Sequence, residues 1–168
     1  MQSKYALKYK IMLSGNTVER ENMSVYRLWF KNGSTWEQEN IWIDGSGCLM
    51  ALQNGSPSLL SNELYILQRS TDKQDISGQE IFEGDIIESH LGGQVLAGNM
   101  EVKYGTYTAY CPADRQEMDS VGFYVSSPGL PDMPVGPMGD YAKVIGNICE
   151  HPELIAASIC KEGPGWQK

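Results

Sequence analysis

The fold turns on residues 76–89, "ISGQEIFEGDIIES", where two apolar pairs, Ile81-Phe82 and Ile86-Ile87, stand around one glycine among several carboxylates. One reading makes this an acidic active site, because Glu83 and Asp85 could divide acid and base roles if their surroundings pulled their proton affinities apart. A second makes it a pair of turns. Ser77-Gly78 reverses the chain, Ile81 and Phe82 pack, Gly84 supplies the positive φ of a second turn, and Ile86-Ile87 opens a new strand. The second reading explains more residues with fewer assumptions. It leaves the carboxylates as solvated turn residues, with Asp85 able to accept a backbone N–H.

Outward from this stretch the chain reads as short strands and turns. Residues 5–13, "YALKYKIML", and 23–30, "MSVYRLWF", are rich in aromatic and branched side chains and predict a hairpin across the polar "SGNTVEREN". Asn32-Gly33 and Asp44-Gly45 are turn pairs of the kind whose central positions favour positive φ, and "ENIWI" should pair with "GCLMAL". "NGSPSLLSN" reads as a loop or one helical turn before a strand in "ELYILQRS". Alternation in "EVKYGTYTAY" predicts Val102, Tyr104 and Tyr110 facing inward. "VGFYVS" and "DYAKVIGNI" complete the strands. A C-terminal helix is expected in "HPELIAASICK", with Pro152 at its start and Gly163-Pro164 after it. The organisation expected is an N-terminal β-hairpin region at 1–64, a core at 65–160 holding a proline-rich loop at 126–139, and a tail at 161–168. Together these read as one compact unit.

Thirteen Lys and Arg against 21 Asp and Glu give the 168-residue chain a net charge of -8, with a pI near 4.7. That balance opposes general attraction to phosphate backbones, so nucleic acid is disfavoured as a partner. Lys4, Lys8, Lys10, Arg20, Arg27 and Lys31 are dispersed and read as a solvated face. Residues 72–90 carry six carboxylates against the single Lys73, a net of -5. No run approaches the roughly 18 apolar residues of a membrane span. The start, "MQSKYALKYKIML", has no export-signal pattern, and a cytoplasmic protein is expected.

The chemistry-bearing candidates are few. His90 is the only histidine near Glu83 and Asp85, and no conventional nucleophile motif occurs. The acidic segment has no glycine at the sixth position of an EF-hand loop. Cys48, Cys111, Cys149 and Cys160 include no Cys-x-x-Cys, and Cys149, His151 and Cys160 lack a fourth ligand. The sequence therefore assigns no catalytic residue, metal or cofactor. Pro128, Pro131, Pro134 and Pro137 recur at period three, so a polyproline II helix would line all four rings along one edge and offer it to an aromatic groove. The binding candidates are Glu83, Asp85, His90 and these four prolines. Tyr104, Tyr107 and Tyr110 are a further candidate, as a stacking platform for bases.

"DKQDISGQEIFEGDII", residues 72–87, resembles a segment of the phage YopX protein family, and "KVIGNICEHPELI", residues 143–155, is similar to that family's second signature. Phe82 and Cys149 stand where the family usually has Tyr, and His151 where a capping Asn is common. The resemblance implies a mainly β protein with a small barrel-like domain, an SH3-like barrel core, hairpins and one short C-terminal helix. It implies a phage or prophage protein acting in the bacterial cytosol, with no defined activity. A non-enzymatic binding or assembly protein is the leading expectation, as a homo-oligomer or with a host or phage protein as partner. A small-barrel nucleic-acid accessory and a hydrolase or metal-dependent enzyme centred on Glu83 and Asp85 are the alternatives.

Overall fold

The computed structural model describes residues 11–13, 16–18, 26–37, 41–44, 46, 48–61, 63–91, 94–95, 98–111 and 115–156. The chain divides between residues 72 and 73 into two compact units. Almost every described element is a strand, as the mainly β expectation requires.

In the N-terminal unit β1 (Ile11–Leu13) pairs antiparallel with β2 (Asn16–Val18). The hairpin expected between 5–13 and 23–30 therefore does not form in the described residues. β3 (Tyr26–Phe30) instead pairs with β4 (Thr35–Glu37) on one side and β8 (Tyr65–Gln74) on the other. A four-residue turn joins β3 to β4, closed by the Ser34 N–H on the Lys31 carbonyl at 3.4 Å. Its left-handed residue is Ser34, at φ 46°. Gly33 serves space rather than φ: a Cβ there would lie 2.8 Å from Phe30 Cδ1.

The second sheet of this unit contains β5 (Ile41–Ile43), β6 (Leu49–Gln53) and β7 (Ser56–Leu59). β5 and β6 pair as expected, Ile43 opposite Leu49. The carboxylate of Asp44 caps their loop by accepting the N–H groups of Ser46 at 2.8 Å and Cys48 at 2.9 Å. β7 corrects the expectation of a loop or helical turn over "NGSPSLLSN". Asn54 and Gly55, at φ 52° and 79°, instead make a two-residue hairpin turn whose twist matches the strands it joins. Pro57 is tolerated because β7 is an edge strand. Leu28, Leu49, Ala51 and Leu60 form the unit's core, with Ile41, Ile43, Tyr65 and Leu67 packed on it. Arg27 departs from the solvated-face expectation: it is buried, and its Nε donates to Gln68 Oε1 at 2.8 Å.

The second unit is built on β9 (Glu80–Phe82), β10 (Asp85–Leu91), β11 (Gln94–Val95), β12 (Met100–Cys111), β13 (Gln116–Ser126), β14 (Met133–Pro134) and β15 (Ala142–Asn147). β10 lies between β12 and β15, pairs with β11 at its end, and β12 continues into β13 and β14. Ile81, Phe82, Ile86 and Ile87 are all fully buried. Neighbouring residues of a strand point to opposite faces, so these apolar doublets mark strands covered on both sides. Ile81, Ile87, Met100, Val102, Val125, Met138 and Ala142 form one continuous core. A short helix, α1 (Glu153–Ala156), starts just after Pro152, and the expected continuation to residue 161 lies outside the described residues.

The sheet does not close, which corrects the barrel-like expectation. β14 covers only Tyr124 and Val125 of β13, and among the described residues no strand links β14 to β15. Closure needs an unbroken ladder around the ring. β14 ends on Pro134, which has no N–H to extend one.

Candidate functional site

Asp75, counted in the sequence only as charge, organises the start of the acidic segment. Its Oδ1 accepts the Ser77 N–H at 2.8 Å, the Ser77 hydroxyl at 2.7 Å and the Gln79 N–H at 2.9 Å. Its Oδ2 accepts the Val144 N–H, from β15, at 3.0 Å. The residue is 4% exposed. Burial pushes its carboxyl up, but the hydrogen bonds from Ser77, Val144 and Gln79 together outweigh that and hold it below the ordinary aspartate range. The Asp-x-Ser-Gly spacing of residues 75–78 is the signal that could have shown this turn, since an Asx side chain followed by Gly at φ 80° folds back on its own backbone.

Ten residues on, Asp85 repeats the device. It is 1% exposed rather than solvated, accepts the Phe82 N–H at 2.8 Å, and takes a bond from Asn147 Nδ2 at 3.1 Å. Between Phe82 and Asp85 the turn passes through Gly84 at φ 79°. Gly84 is fixed on both sides: its N–H donates to the Val102 carbonyl at 2.7 Å, and its carbonyl accepts from Ile148 at 2.8 Å. Asn147, which nothing in the sequence singled out, also accepts the Cys149 N–H at 2.9 Å and so directs the chain from β15 toward α1.

His90 does not join the candidate acid–base pair. Asp85 and His90 are five strand residues apart, about 17 Å of extended chain. The His90 ring instead meets Glu88, Nε2 to Oε2 at 3.2 Å. Glu83 stays on the turn, half-buried. Among the described residues no three His, Cys, Asp or Glu side chains gather as metal ligands.

β12 and β13 run well past the core. β10 reaches β12 only at Met100 and Glu101, and β14 reaches β13 only at Tyr124 and Val125, while β12 and β13 stay paired to Cys111 and Gln116. The far half is thus a two-stranded ribbon. Gly105 and Gly122 face each other across it at φ 155° and 159°, with open space where their Cβ atoms would be. Both glycines therefore serve conformation rather than clearance. Aromatic pairs flank them, Tyr104 edge-on to Phe123 at 5.0 Å and Tyr107 stacked on Tyr124 at 4.9 Å. Val102 is buried as expected, but Tyr104 and Tyr110 are 41% and 58% exposed because no sheet layer follows them outward. Tyr107 is an odd number of residues from both and lies on the opposite face, so the three tyrosines do not make one stacking platform.

The two stretches that carried the resemblance are one structural unit. Asp85 pairs with Asn147, Ile86 with Gly146 and Ile87 with Val144, with Ile145 as the extra residue of a bulge. Compared with known families, the chain matches the sequence model described as YopX protein over residues 5–156. The chain belongs to the YopX protein family. Among solved structures it is similar to the crystal structure of protein EF1440 from Enterococcus faecalis, with 21% identity, a TM-score of 0.46, and coverage of 77% of this chain and 96% of that one. No curated protein matches it.

In this YopX-family chain the four prolines do not line one edge. Gly129, at φ 79°, breaks a polyproline II path directly after Pro128, and the Leu130 N–H closes a turn on the Ser127 carbonyl at 3.1 Å. Pro131 follows that turn, Pro134 pairs with Tyr124 in β14, and Pro137 caps a 3-10 turn at Met138–Asp140. Exposed Leu52 and Leu59 gather with half-buried Trp42 and Met50 elsewhere, on the outer face of the β5–β6–β7 sheet. Ile41, Ile43, Leu49 and Ala51 take the core side, so Trp42, Met50 and Leu59 form a directly opposed row on the other, next to Leu52 and Pro57. Leu59 is 67% exposed and Leu52 46%. Residues 41–62 hold one charge, Asp44.

Proposed function

We propose that this YopX-family chain is a phage or prophage protein of the bacterial cytosol that binds or assembles with other proteins and catalyses nothing itself. The observation that carries this reading is the outer face of the β5–β6–β7 sheet, an apolar row that leaves Leu59 two-thirds exposed within an almost uncharged segment of an acidic protein. Contiguous apolar surface on a folded chain marks interaction sites. The fate of the acidic stretch supports it. Asp75 and Asp85 are spent on backbone and Asn147 donors inside the fold, and His90 stands five residues from Asp85 along β10, against Glu88. Among the described residues no helix is long and apolar enough to cross a membrane.

The test is capture of partners by tagged chain during phage induction, comparing the native sequence with Leu52→Glu/Leu59→Glu. Partners held by the native chain should be lost with the double variant while its circular dichroism is unchanged. Equal capture by both, or an activity abolished by Glu83→Gln in a chain of unaltered melting temperature, would overturn the reading.

A further inference from the structure

The outer edge of β12 carries residues 104–110, Tyr-Gly-Thr-Tyr-Thr-Ala-Tyr, a sequence that reads nearly the same in both directions about Tyr107. Its backbone polarity follows from two hydrogen bonds at the base of the ribbon. The Val102 carbonyl points to the β10 side, where it accepts from Gly84, and the Phe123 carbonyl points to the β14 side, where it accepts from Val135. Tyr104 and Phe123 are therefore a pair whose main-chain groups point away from each other. Such pairs alternate along an antiparallel ladder. In consequence Thr106, Thr108 and Tyr110 present their main-chain N–H and C=O groups along the outer edge of β12. Among the described residues no strand pairs with that edge beyond Glu101.

The two edges of the ribbon are not alike. Glu117 and Asp119 mark the β13 edge, and charges of this kind deter further strand pairing. From 104 to 110 the β12 edge has no charge, no proline and no register shift.

We propose that β12 pairs antiparallel with β12 of a second copy of this chain about a two-fold axis at Tyr107, joining the two ribbons into a four-stranded sheet. Thr106 then faces Thr108 of the second copy, Tyr104 faces Tyr110, Gly105 faces Ala109, and Tyr107 faces itself. Each pair matches like with like, and aromatic and Thr–Thr pairs are among those that stabilise sheets. The outward main-chain groups of Thr106 and Thr108 meet those of their counterparts. In a chain of net charge -8 this edge brings no like charges together. A two-fold contact also closes, so it yields a dimer and not a filament. The proposal deepens the binding reading, yet the two fail separately: a monomer that still captures a host protein through Leu52 and Leu59 would sink this proposal alone.

Light scattering on the full chain across a concentration series decides it. The native chain should dimerise. Thr106→Lys/Thr108→Lys sets lysine against lysine twice and should weaken the dimer roughly tenfold or more. Thr106→Glu/Thr108→Lys sets glutamate against lysine twice, only in the register centred on Tyr107, and should keep the dimer. A native chain that stays monomeric, a double-lysine variant that still dimerises as tightly, or a folded Glu/Lys variant that is monomeric would each overturn the proposal. Should either double variant unfold, Thr108→Pro withdraws an outward N–H and the exposed hydroxyl bond to Asp119 Oδ1 at 3.4 Å but no hydrogen bond of the β12–β13 ladder: dimer loss in a folded chain supports the pairing, and dimer retention overturns it.

Discussion

Replacing Asp75 tests most directly whether the acidic segment is structural. Asp75→Ala removes the acceptor of three backbone N–H groups, those of Ser77, Gln79 and Val144, and of one hydroxyl, at a site 4% exposed. A buried donor left without its acceptor costs about 1–3 kcal/mol. Partial rehydration of Ser77 and Gln79, which lie on an exposed turn, reduces the sum, so a loss of about 3–5 kcal/mol at neutral pH is expected. Asp75→Asn keeps one oxygen for the Ser77–Gln79 turn but sets an amide N–H₂ against the Val144 N–H, and should cost about 1–3 kcal/mol. Because the folded carboxyl titrates below its unfolded value, the stability it gives is complete above about pH 4, where the unfolded group is also ionised. That stability is lost as pH falls through the folded value. Urea unfolding of all three chains at pH 7 and pH 3 measures this, with the slope against urea as a check on the denatured state. The gap between native chain and Asp75→Asn should be narrower at pH 3. An Asp75→Ala loss under about 1 kcal/mol, or a gap that does not change with pH, would refute the role assigned to Asp75.

Three further outcomes are expected. Gly146→Ala should destabilise the chain by about 1–3 kcal/mol in the same unfolding assay, because the new Cβ would lie 2.8 Å from Leu154 Cδ1 and 3.1 Å from His151 Nδ1. Gly84→Ala should cost about 1–2 kcal/mol or more through the left-handed backbone at φ 79°, which a lowered melting temperature checks. Tyr107→Ala should remove the stack on Tyr124 and raise amide hydrogen exchange in residues 106–121, while leaving exchange at Ile81 and Ile87 unchanged, since those residues lie in the core and not on the ribbon.

Local signals are legible in the sequence where a turn or doublet obeys one rule. Gly84 reads as a positive-φ residue and has φ 79°, and the strands on either side of Asp44 pair as expected. β7 reads as loop or helical turn in "NGSPSLLSN", although Asn54-Gly55 is a hairpin turn pair and Pro57 is acceptable on an edge strand. Tyr104 and Tyr110 read as inward because alternation fixes which residues share a face but not where the covering layer stops. The burial of Asp75 and Asp85 could not be seen locally. Their partners Val144 and Asn147 are 69 and 62 residues away, and a carboxylate reads as solvated until those partners are in place.

That separation also explains why the family resemblance says more about fold than about activity. The two signatures meet as β10 and β15, and the residues that give them their character have local structural tasks: Asp75 and Asp85 accept N–H groups, Gly84 turns, and Gly146 makes room for Leu154. A carboxylate holding backbone donors inside the fold cannot give them up to a substrate without loosening the corner it organises. A site that must meet another molecule is under the opposite requirement, since it needs surface the fold does not consume. The described chain offers that surface outside the signatures, on the outer face of β5–β7 and along the β12–β13 ribbon, where Leu59 and Tyr110 are more than half exposed. Substitutions inside the signatures should therefore change stability first and binding only as a consequence, whereas those at Leu59 or Thr106 should change binding at nearly constant stability.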